Sequence, residues 1–321
     1  MTCYDIFNGD ADGICALQQL RLQHPRQARL ISGLKRDISL LQQIDAQPGD
    51  EITVLDISLD RNRDALIEVL EIGAHVFYAD HHYPGDIPRH HRLDCRIDVA
   101  ATTCTSLIIN KMLGNAQARW AVVGAFGDNF DAQASELGRS VGLKPAQLVD
   151  LQQLGICLNY NGYGFELDDL LFHPAELFSL LRPYRNPLEF IENEAAYTEL
   201  LGQYREDMAR SANLSADSLS TAGAIFLLPN ESWAKRIVGV LGNDLAKQFP
   251  DRAHALLIDM GDGYHRVSVR APYNRKRGAD DLCRQFESGG GRKAAAGIDR
   301  LAQALLPKFI DQFNLQFGNS K

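Results

Sequence analysis

Short apolar runs alternate with amphipathic helical patterns in the first part of the chain. The runs are typical of strands, and they cover residues 3–7, 29–32, 52–56 and 76–79. Between them, residues 14–20 carry the apolar stripe of one helix and residues 62–72 that of a second. Strands separated by helices predict a parallel sheet with crossover helices, which is an α/β domain. Residues 103–154 then show a mainly helical pattern.

The middle of the chain, residues 155–212, is less regular. It contains the Gly- and Tyr-rich stretch NYNGYGFELDDLLFHP, followed by a charged helical run. We interpret it as a loop and a connecting helix. Stacking of its tyrosines on a substrate base is the alternative.

A strand and helix pattern restarts near Ala222. The predicted elements are a strand in AGAIFLL, a helix over 233–249, strands over 255–260 and 265–270 joined by the hairpin signal GDG, a short helix over 280–287, the run SGGGRKAAAG and a C-terminal helix. We therefore expect two α/β domains. They are an N-terminal parallel-sheet domain (1–195) and a smaller C-terminal domain (215–321), with a linker helix between them (196–214).

Composition narrows the classes of function. The 321 residues are 45% hydrophobic, enough for two cores, and the formal net charge of −8 argues against a protein that coats long nucleic acid. No run reaches the roughly 18 apolar residues of a membrane span, and no signal-peptide pattern opens the chain. The six cysteines contain no CxxC pair, which is typical of free thiols in a reducing compartment. We expect a cytoplasmic protein with no membrane partner. The sequence leaves open whether the protein forms a homodimer.

Acidic and imidazole side chains follow three of the predicted strands. FNGDADGI places Asp10 and Asp12 after the first strand, VLDIS places Asp56 after the third, and FYADHH places Asp80, His81 and His82 after the fourth. Ligands of parallel α/β sheets bind at the carboxyl ends of the strands. A further carboxylate, Asp128 in GAFGDNF, ends an apolar helix and can join them.

Several carboxylates at one place repel each other unless cations neutralise them. Oxygen ligands with an imidazole favour Mn²⁺ or Mg²⁺, and two such ions roughly 3.5–4 Å apart are a common arrangement for attack on phosphorus. Taken singly, each feature has a plainer explanation. A lone Asp after a strand is usually a turn former or helix N-cap, and His81-His82 alone is a solvated loop. His90-His91, in a polar loop, is interpreted as surface.

The motifs in combination resemble those of the DHH phosphoesterase superfamily. DADG, a strand ending in LD, ADHH and then GD after a small-residue helix occur in that order, and the C-terminal VSVRA and GGGRKAAAG resemble the DHH-associated domain. The superfamily includes RecJ-type single-strand exonucleases, nanoRNases that also act on 3′-phosphoadenosine 5′-phosphate, cyclic-dinucleotide phosphodiesterases and inorganic pyrophosphatases. The motifs span nearly the whole chain.

The resemblance implies a catalytic N-terminal domain that holds two divalent ions. One ion would be held by Asp10 and Asp56, and the other by Asp12, Asp56, His81 and Asp128. Asp80 would orient the histidines, and His82 would face the scissile phosphate. The resemblance also implies that the active site lies in a cleft between the two domains.

Two departures from the family pattern concern the two domains separately. Ile6 stands where many members have His, and Asn8 stands where RecJ-like members have Asp, so Asn8 or water would complete a weaker first metal shell. Arg292 replaces the usual His of the C-terminal signature, and its planar fork suits a terminal phosphate or a guanine edge. With Arg270, Gly290 and Gly291 it forms the predicted substrate-binding set, in which the glycines would bring backbone N–H groups to an anion. A plain flexible turn is the alternative for the glycine run.

The resemblance therefore implies a Mn²⁺- or Mg²⁺-dependent phosphodiesterase that hydrolyses very short oligonucleotides to 5′-mononucleotides. A dinucleotide such as pGpG, the linear product of cyclic-di-GMP breakdown, is the specific expectation. Long nucleic acid is not expected as a partner. A 3′-phosphoadenosine 5′-phosphate phosphatase, a RecJ-like exonuclease and a nucleotide-sensing module without catalysis are the alternatives.

Overall fold

Two sheets organise the chain. The computed structural model describes residues 1–318. It divides into two units, Met1–Gly202 and Gln203–Lys321, each with its own sheet. The boundary falls inside one helix, Ala195–Ser211, which overlaps most of the segment expected as a linker. The two-domain α/β organisation expected from the sequence is thereby confirmed.

The N-terminal sheet is entirely parallel. Its strands are β1 (Cys3–Phe7), β2 (Arg29–Ile31), β3 (Glu51–Leu55), β4 (His75–Asp80) and β5 (Leu93–Ile97), in the spatial order β2-β1-β3-β4-β5. All five carboxyl ends therefore lie at one edge of the sheet. The four predicted strands are confirmed to within a residue or two, whereas β5, of sequence LDCRI, was not predicted.

Helices supply the rest of this unit. They are α1 (Ala11–Gln23), α2 (Leu59–Ile72), α3 (Thr105–Met112), α4 (Ala118–Gly127), α5 (Asp131–Ser140), α6 (Pro145–Gly162), α7 (Pro174–Leu181), α8 (Pro187–Asn193) and α9 (Ala195–Ser211). Branched and aromatic side chains of the sheet, such as Ile6, Val54 and Tyr78, are buried against Leu66 and Leu70 of α2. Burial of this apolar face stabilises the α/β layer.

The middle of the chain is more helical than a loop with one connecting helix, so that interpretation was wrong. After α6, the short helices α7 and α8 each begin with a proline at the first helical position, preceded by a capping residue. His173 accepts a hydrogen bond from the Ala175 N–H, and Asn186 accepts one from the Leu188 N–H. Such helices are too short to show a clear apolar period, and their signal is the cap and the proline.

A buried ion pair anchors β1 to α1. Asp5, in the middle of β1, accepts two bonds from the Arg21 guanidinium, at 2.7 and 2.6 Å, and Arg26 adds a third at 3.0 Å. Both Asp5 and Arg21 are buried, so the bidentate geometry compensates for the hydration that each charge loses.

The C-terminal unit contains a mixed six-stranded sheet. Its strands are β6 (Ser218–Leu219), β7 (Gly223–Leu228), β8 (Ala253–Asp259), β9 (Tyr264–Arg270), β10 (Gly289–Gly291) and β11 (Ala295–Ala302), in the order β10-β11-β9-β8-β7-β6, and its helices are α10 (Ser232–Gln248), α11 (Ala279–Cys283) and α12 (Leu306–Gly318). Only β7 and β8 pair in parallel. The GDG hairpin between β8 and β9 is confirmed.

The glycine run forms a strand, and not the flexible turn that was the alternative to its predicted anion-binding role. Gly289, Gly290 and Gly291 pair with Ile298, Gly297 and Ala296 of β11. A side chain at Gly289 would overlap the Cys283 carbonyl oxygen, since its Cβ would lie 1.8 Å from that atom. Close backbone approach therefore requires glycine here.

Among residues 1–318, no helix is both long and apolar enough to cross a membrane.

Close packing of α4 on α6 depends on two glycines, and this generates a stability prediction. A Cβ at Gly155 would lie 2.5 Å from the Val123 carbonyl oxygen and 2.8 Å from the Gly127 nitrogen, which are backbone atoms that cannot move aside alone. We expect Gly155→Ala to lower the free energy of unfolding by about 1–3 kcal/mol, the usual cost of overpacking. Urea unfolding followed by circular dichroism measures it.

Gly202→Ala is the matched control. Gly202 is an exposed helical glycine of α9, and a Cβ added to it would have nothing within 4 Å. Because alanine favours helix, this variant should be neutral or more stable by up to about 1 kcal/mol. Equal effects of the two substitutions would contradict the packing argument.

Candidate metal centre

The carboxyl edge of the parallel sheet gathers the acidic residues that the motifs singled out. Asp10 directly precedes α1, Asp56 directly follows β3, and Asp80 is the last residue of β4. Asp56 adopts a left-handed backbone conformation, with φ of 57°, which few non-glycine residues do. Such strained positions concentrate at functional sites.

The DADG turn is held by helix N-termini. The Asp10 carboxylate caps α1 by accepting hydrogen bonds from the Asp12 and Gly13 N–H groups, at 3.0 and 3.1 Å. The two oxygens of Asp12 accept from the Thr105 and Ser106 N–H groups at the start of α3, at 2.8 and 2.7 Å. Helix N-termini carry partial positive charge, so both carboxylates sit where negative charge is favoured.

His81 has the hydrogen bonding of a metal-binding imidazole. Its Nδ1 lies 3.1 Å from the Thr103 carbonyl oxygen, which can only accept, so the proton belongs on Nδ1. The lone pair of Nε2 then faces two carboxylates, with Asp56 Oδ1 at 3.5 Å and Asp128 Oδ2 at 3.6 Å. A backbone carbonyl that fixes the tautomer in this way is typical of histidines that bind metals.

His82 is oriented by Asp80. Its Nδ1 lies 2.7 Å from Asp80 Oδ1, and the same oxygen accepts the backbone N–H of His81 at 2.8 Å. Asp80 is fully buried, whereas 27% of the His82 side chain is exposed. Asp80 therefore fixes the orientation of an imidazole that stays partly exposed.

The side chains form two overlapping groups that can bind a cation. In one, ligand atoms of Asp12, His81 and Asp128 all lie within 4.8 Å of one another, and the other group consists of Asp56, His81 and His82. Both contain His81, so they mark one place rather than two. Carboxylate oxygens with a single imidazole are a donor set suited to Mn²⁺ or Mg²⁺, and the residues present therefore fit the implied divalent ion.

The charges of this edge are not balanced by protein groups alone. Burial raises the pKa of Asp56 well above its usual value, and the neighbouring Asp12 and Asp10 carboxylates raise it further. Burial also raises the pKa of Asp12, against a lowering by His81. A bound cation would favour the ionised form of both groups and offset this penalty.

Asp10 differs from its neighbours because it has a cationic partner. Burial works to raise the pKa of Asp10, but the Lys35 ammonium outweighs this effect and the pKa lies below its usual value. Burial likewise works to lower the pKa of Lys35, and Asp10 raises it well above its usual value. The two groups form an ion pair, and Lys35 Nζ also lies 3.3 Å from Asp128 Oδ1.

Three contributors to the centre were missed in the sequence. Lys35 contacts the Asp10 and Asp128 carboxylates, and Asn159 Oδ1 lies 3.2 Å from Lys35 Nζ. The Thr105 hydroxyl donates to Asp56 Oδ1 at 2.9 Å. Lys35 lies four residues beyond the end of β2, so the rule that ligands bind at strand ends does not single it out. Asn159 lies on α6, within the segment interpreted in part as a loop.

The predicted substrate residues of the C-terminal unit converge on one end of its sheet. Arg270 pairs with Ala295 across β9 and β11, and the backbone N–H of Arg292 donates to the Ala295 carbonyl at 2.9 Å. Arg270 is held by Asn243 Oδ1 at 2.8 Å and Ser268 Oγ at 2.9 Å. Arg292 is exposed in the turn of the β10–β11 hairpin, which begins at Gly290 and Gly291.

Comparison with known proteins finds likeness in structure rather than in sequence. No protein-family model and no curated protein matches the chain. The exonuclease RecJ bound to manganese superposes with a TM-score of 0.63 at 16% identity, covering 100% of this chain and 91% of the other. A DHH domain from a protein described as a member of a family of ribosomal proteins gives 0.70 at 12% identity, covering 100% and 87%.

A third solved structure is similar over its whole length. The pGpG-specific phosphodiesterase PggH from Vibrio cholerae has a TM-score of 0.55 at 13% identity, covering 98% of this chain and 100% of that one. At identities this low, the structural superpositions establish the fold alone. Together with the ordered motifs, they show that the chain has the fold of the DHH superfamily.

Proposed function

We propose that this protein is a divalent-metal-dependent phosphodiesterase that hydrolyses very short oligonucleotides to 5′-mononucleotides. The observation that carries the proposal is His81, whose Nδ1 is committed to the Thr103 carbonyl while its Nε2 faces Asp56 and Asp128. Asp12 completes the set. Three carboxylates surround this imidazole, and Asp12 and Asp56 are buried. Their negative charges lower the stability of the fold unless a cation binds there.

The ion would be held by Asp12, Asp56, His81 and Asp128, and Mn²⁺ is our choice because an imidazole is among the ligands. When bound, a divalent ion supplies positive charge for the scissile phosphate and makes water more acidic. Solved RecJ structures contain manganese or magnesium, in keeping with this choice.

His82 is the proposed catalytic acid. Asp80 Oδ1 lies 2.7 Å from its Nδ1 and fixes the orientation of the side chain, of which 27% is exposed. In this proposal His82 Nε2 approaches the substrate. There it can donate a proton to the leaving 3′ oxygen as water attacks phosphorus and the P–O3′ bond breaks, so that the leaving nucleotide departs with a neutral 3′-hydroxyl. Asp80 acts through His82 and is a positioning residue.

The substrate class rests on charge and on the structural comparison. A net charge of −8 provides no long basic track for nucleic acid, which favours a short substrate. PggH, described as specific for pGpG, covers nearly the same length of chain. We therefore propose dinucleotides such as pGpG as substrates, with Arg270 and Arg292 contributing to their binding.

A substrate panel tests this function. Purified protein with Mn²⁺ is offered 5′-phosphorylated dinucleotides, RNAs of several lengths, single-stranded DNA and 3′-phosphoadenosine 5′-phosphate. We expect turnover to be fastest with dinucleotides and to stop when a chelator removes the metal. Faster cleavage of long strands would contradict the proposal and indicate an exonuclease. If phosphate release from 3′-phosphoadenosine 5′-phosphate is fastest, the protein is a phosphatase instead. Nucleotide binding without hydrolysis would indicate a sensing module.

His82 can be tested separately as an acid and as a metal ligand. We expect His82→Ala to lower kcat about 10²–10⁴-fold, the range for loss of a general acid, with Mn²⁺ affinity unchanged. Asp80→Asn should lower kcat about 10–100-fold because it weakens the orientation of the imidazole. Steady-state kinetics and Mn²⁺ titration measure the two effects.

His91→Ala is the control, because His91 is an exposed histidine of the loop before β5. It should leave both kcat and Mn²⁺ affinity at wild-type values. A large loss of Mn²⁺ affinity in His82→Ala would instead make His82 a metal ligand and contradict its assignment as the acid.

Arg292 is tested by the balance between KM and kcat. Its side chain is exposed at the hairpin turn and carries a permanent charge, so its removal should weaken binding of substrate and transition state alike. We expect Arg292→Ala to raise KM for a dinucleotide about tenfold, the loss of roughly 1.4 kcal/mol, with kcat changed less. Arg300→Ala, an exposed arginine on β11, is the control. An unchanged KM in Arg292→Ala would remove this residue from the substrate site.

A further inference from the structure

A lysine ammonium lies beside Asp10 and Asp128, two carboxylates that the family pattern would give to metal ions. Lys35 Nζ makes an ion pair with Asp10 Oδ2 and lies 3.3 Å from Asp128 Oδ1 and 3.2 Å from Asn159 Oδ1. An ammonium has three N–H donors and no acceptor. Three side-chain oxygens therefore satisfy it completely, in the all-oxygen surroundings that hard cations prefer.

The backbone of Lys35 is fastened so that its side chain points into this cluster. The Lys35 N–H donates to the Gly162 carbonyl at 2.9 Å, and the Lys35 carbonyl accepts from Asn8 Nδ2 at 3.1 Å. The other end of the Asn8 amide accepts the Asp10 N–H at 3.2 Å. Asn8 thus ties the Lys35 backbone to the turn that carries Asp10, and 24% of the Lys35 side chain stays exposed.

A separate cation position lies on the other side of Asp128, around His81. Asp128 uses Oδ1 towards Lys35 and Oδ2 towards His81 Nε2, so this carboxylate lies between two separate cation positions. Asp10 contacts Lys35 and belongs to neither of the two groups of possible metal ligands found in residues 1–318. Both of those groups include His81 and therefore describe the second position.

We propose that Lys35 takes the place of one of the two ions implied by the sequence, so that the chain binds a single divalent ion. The ion is held by Asp12, Asp56, His81 and Asp128, while the Lys35 ammonium permanently fills the position beside Asp10. This inference rests on the metal centre of the proposed function. It replaces the two-ion expectation from the sequence, in which Asp10 was a metal ligand.

A direct count of bound metal tests the inference without any activity measurement. The full-length protein is stripped with a chelator, dialysed and titrated with Mn²⁺, and bound ions per chain are determined by elemental analysis and calorimetry. We expect one ion per wild-type chain. Its electron paramagnetic resonance spectrum should be that of isolated Mn²⁺, because ions roughly 3.5–4 Å apart would couple magnetically.

Removal of the ammonium should open the position beside Asp10. In Lys35→Ala, the oxygens of Asp10, Asp128 and Asn159 lose their cation, and we expect two ions per chain and a coupled Mn²⁺ spectrum. Lys111→Ala, which removes an exposed lysine of α3, is the control and should keep one ion. Two further variants test the inference even if Lys35→Ala does not fold. Asp10→Asn should keep one ion with affinity within a few-fold of wild type, and Asp12→Asn should lose it.

The outcomes separate this inference from the proposed function. Two ions in the wild-type chain, or loss of an ion in Asp10→Asn, overturn the role of Lys35 and leave the metal-dependent function standing. One ion in both wild type and folded Lys35→Ala shows that the ammonium does not exclude a second ion, which also overturns it. No bound ion in the wild type overturns the metal centre and with it the proposed function.

Discussion

Repulsion among five aspartates at one sheet edge is the constraint on which the N-terminal unit depends. Two like charges about 4 Å apart repel by about 4 kcal/mol at the effective dielectric constant near a protein surface. Asp10, Asp12, Asp56, Asp80 and Asp128 nevertheless share this edge. Each has a compensating partner: helix N–H groups for Asp10 and Asp12, the Thr105 hydroxyl for Asp56, the His82 imidazole for Asp80 and the Lys35 ammonium for Asp128. Helices α1 and α3 therefore begin here as part of the electrostatics of the site.

The part of the site that lies at strand ends was predictable, because parallel topology brings carboxyl ends to one edge whatever the intervening sequence. Asp56 and Asp80-His81-His82 needed only that rule. Lys35 and Asn159 did not follow from it. Lys35 stands four residues beyond β2 in a polar loop, where a single lysine is ordinarily a solvated surface charge. Asn159 reaches the site only because α6 packs tightly on α4 through Gly155, a tertiary contact that leaves no local pattern.

The fold shows the same division between local and tertiary information. Strands β1 to β4 and β7 to β9 carry clear apolar runs, and they were predicted. Strand β5 reads LDCRI and β11 reads AAGIDRLA, and both mix charges with few apolar positions. Strand β10 consists of three glycines, which have low intrinsic preference for strands. These three strands exist because a neighbouring strand offers hydrogen bonds, and that neighbour lies distant in sequence or across a turn.

The charge balance of the site links Asn8 to Lys35. The five aspartates carry five negative charges; relative to a RecJ-like motif with a further aspartate, Asn8 removes one negative charge, and Lys35 adds one positive charge. The Asn8 amide also donates a hydrogen bond to the Lys35 carbonyl, so the neutral residue helps to position the cation. With the ammonium in place, one divalent ion leaves two negative charges, which the α1 and α3 N-termini and the His82 imidazole face directly. The position expected for a second divalent ion is occupied by the Lys35 ammonium, which already pairs with Asp10, the expected ligand of that ion.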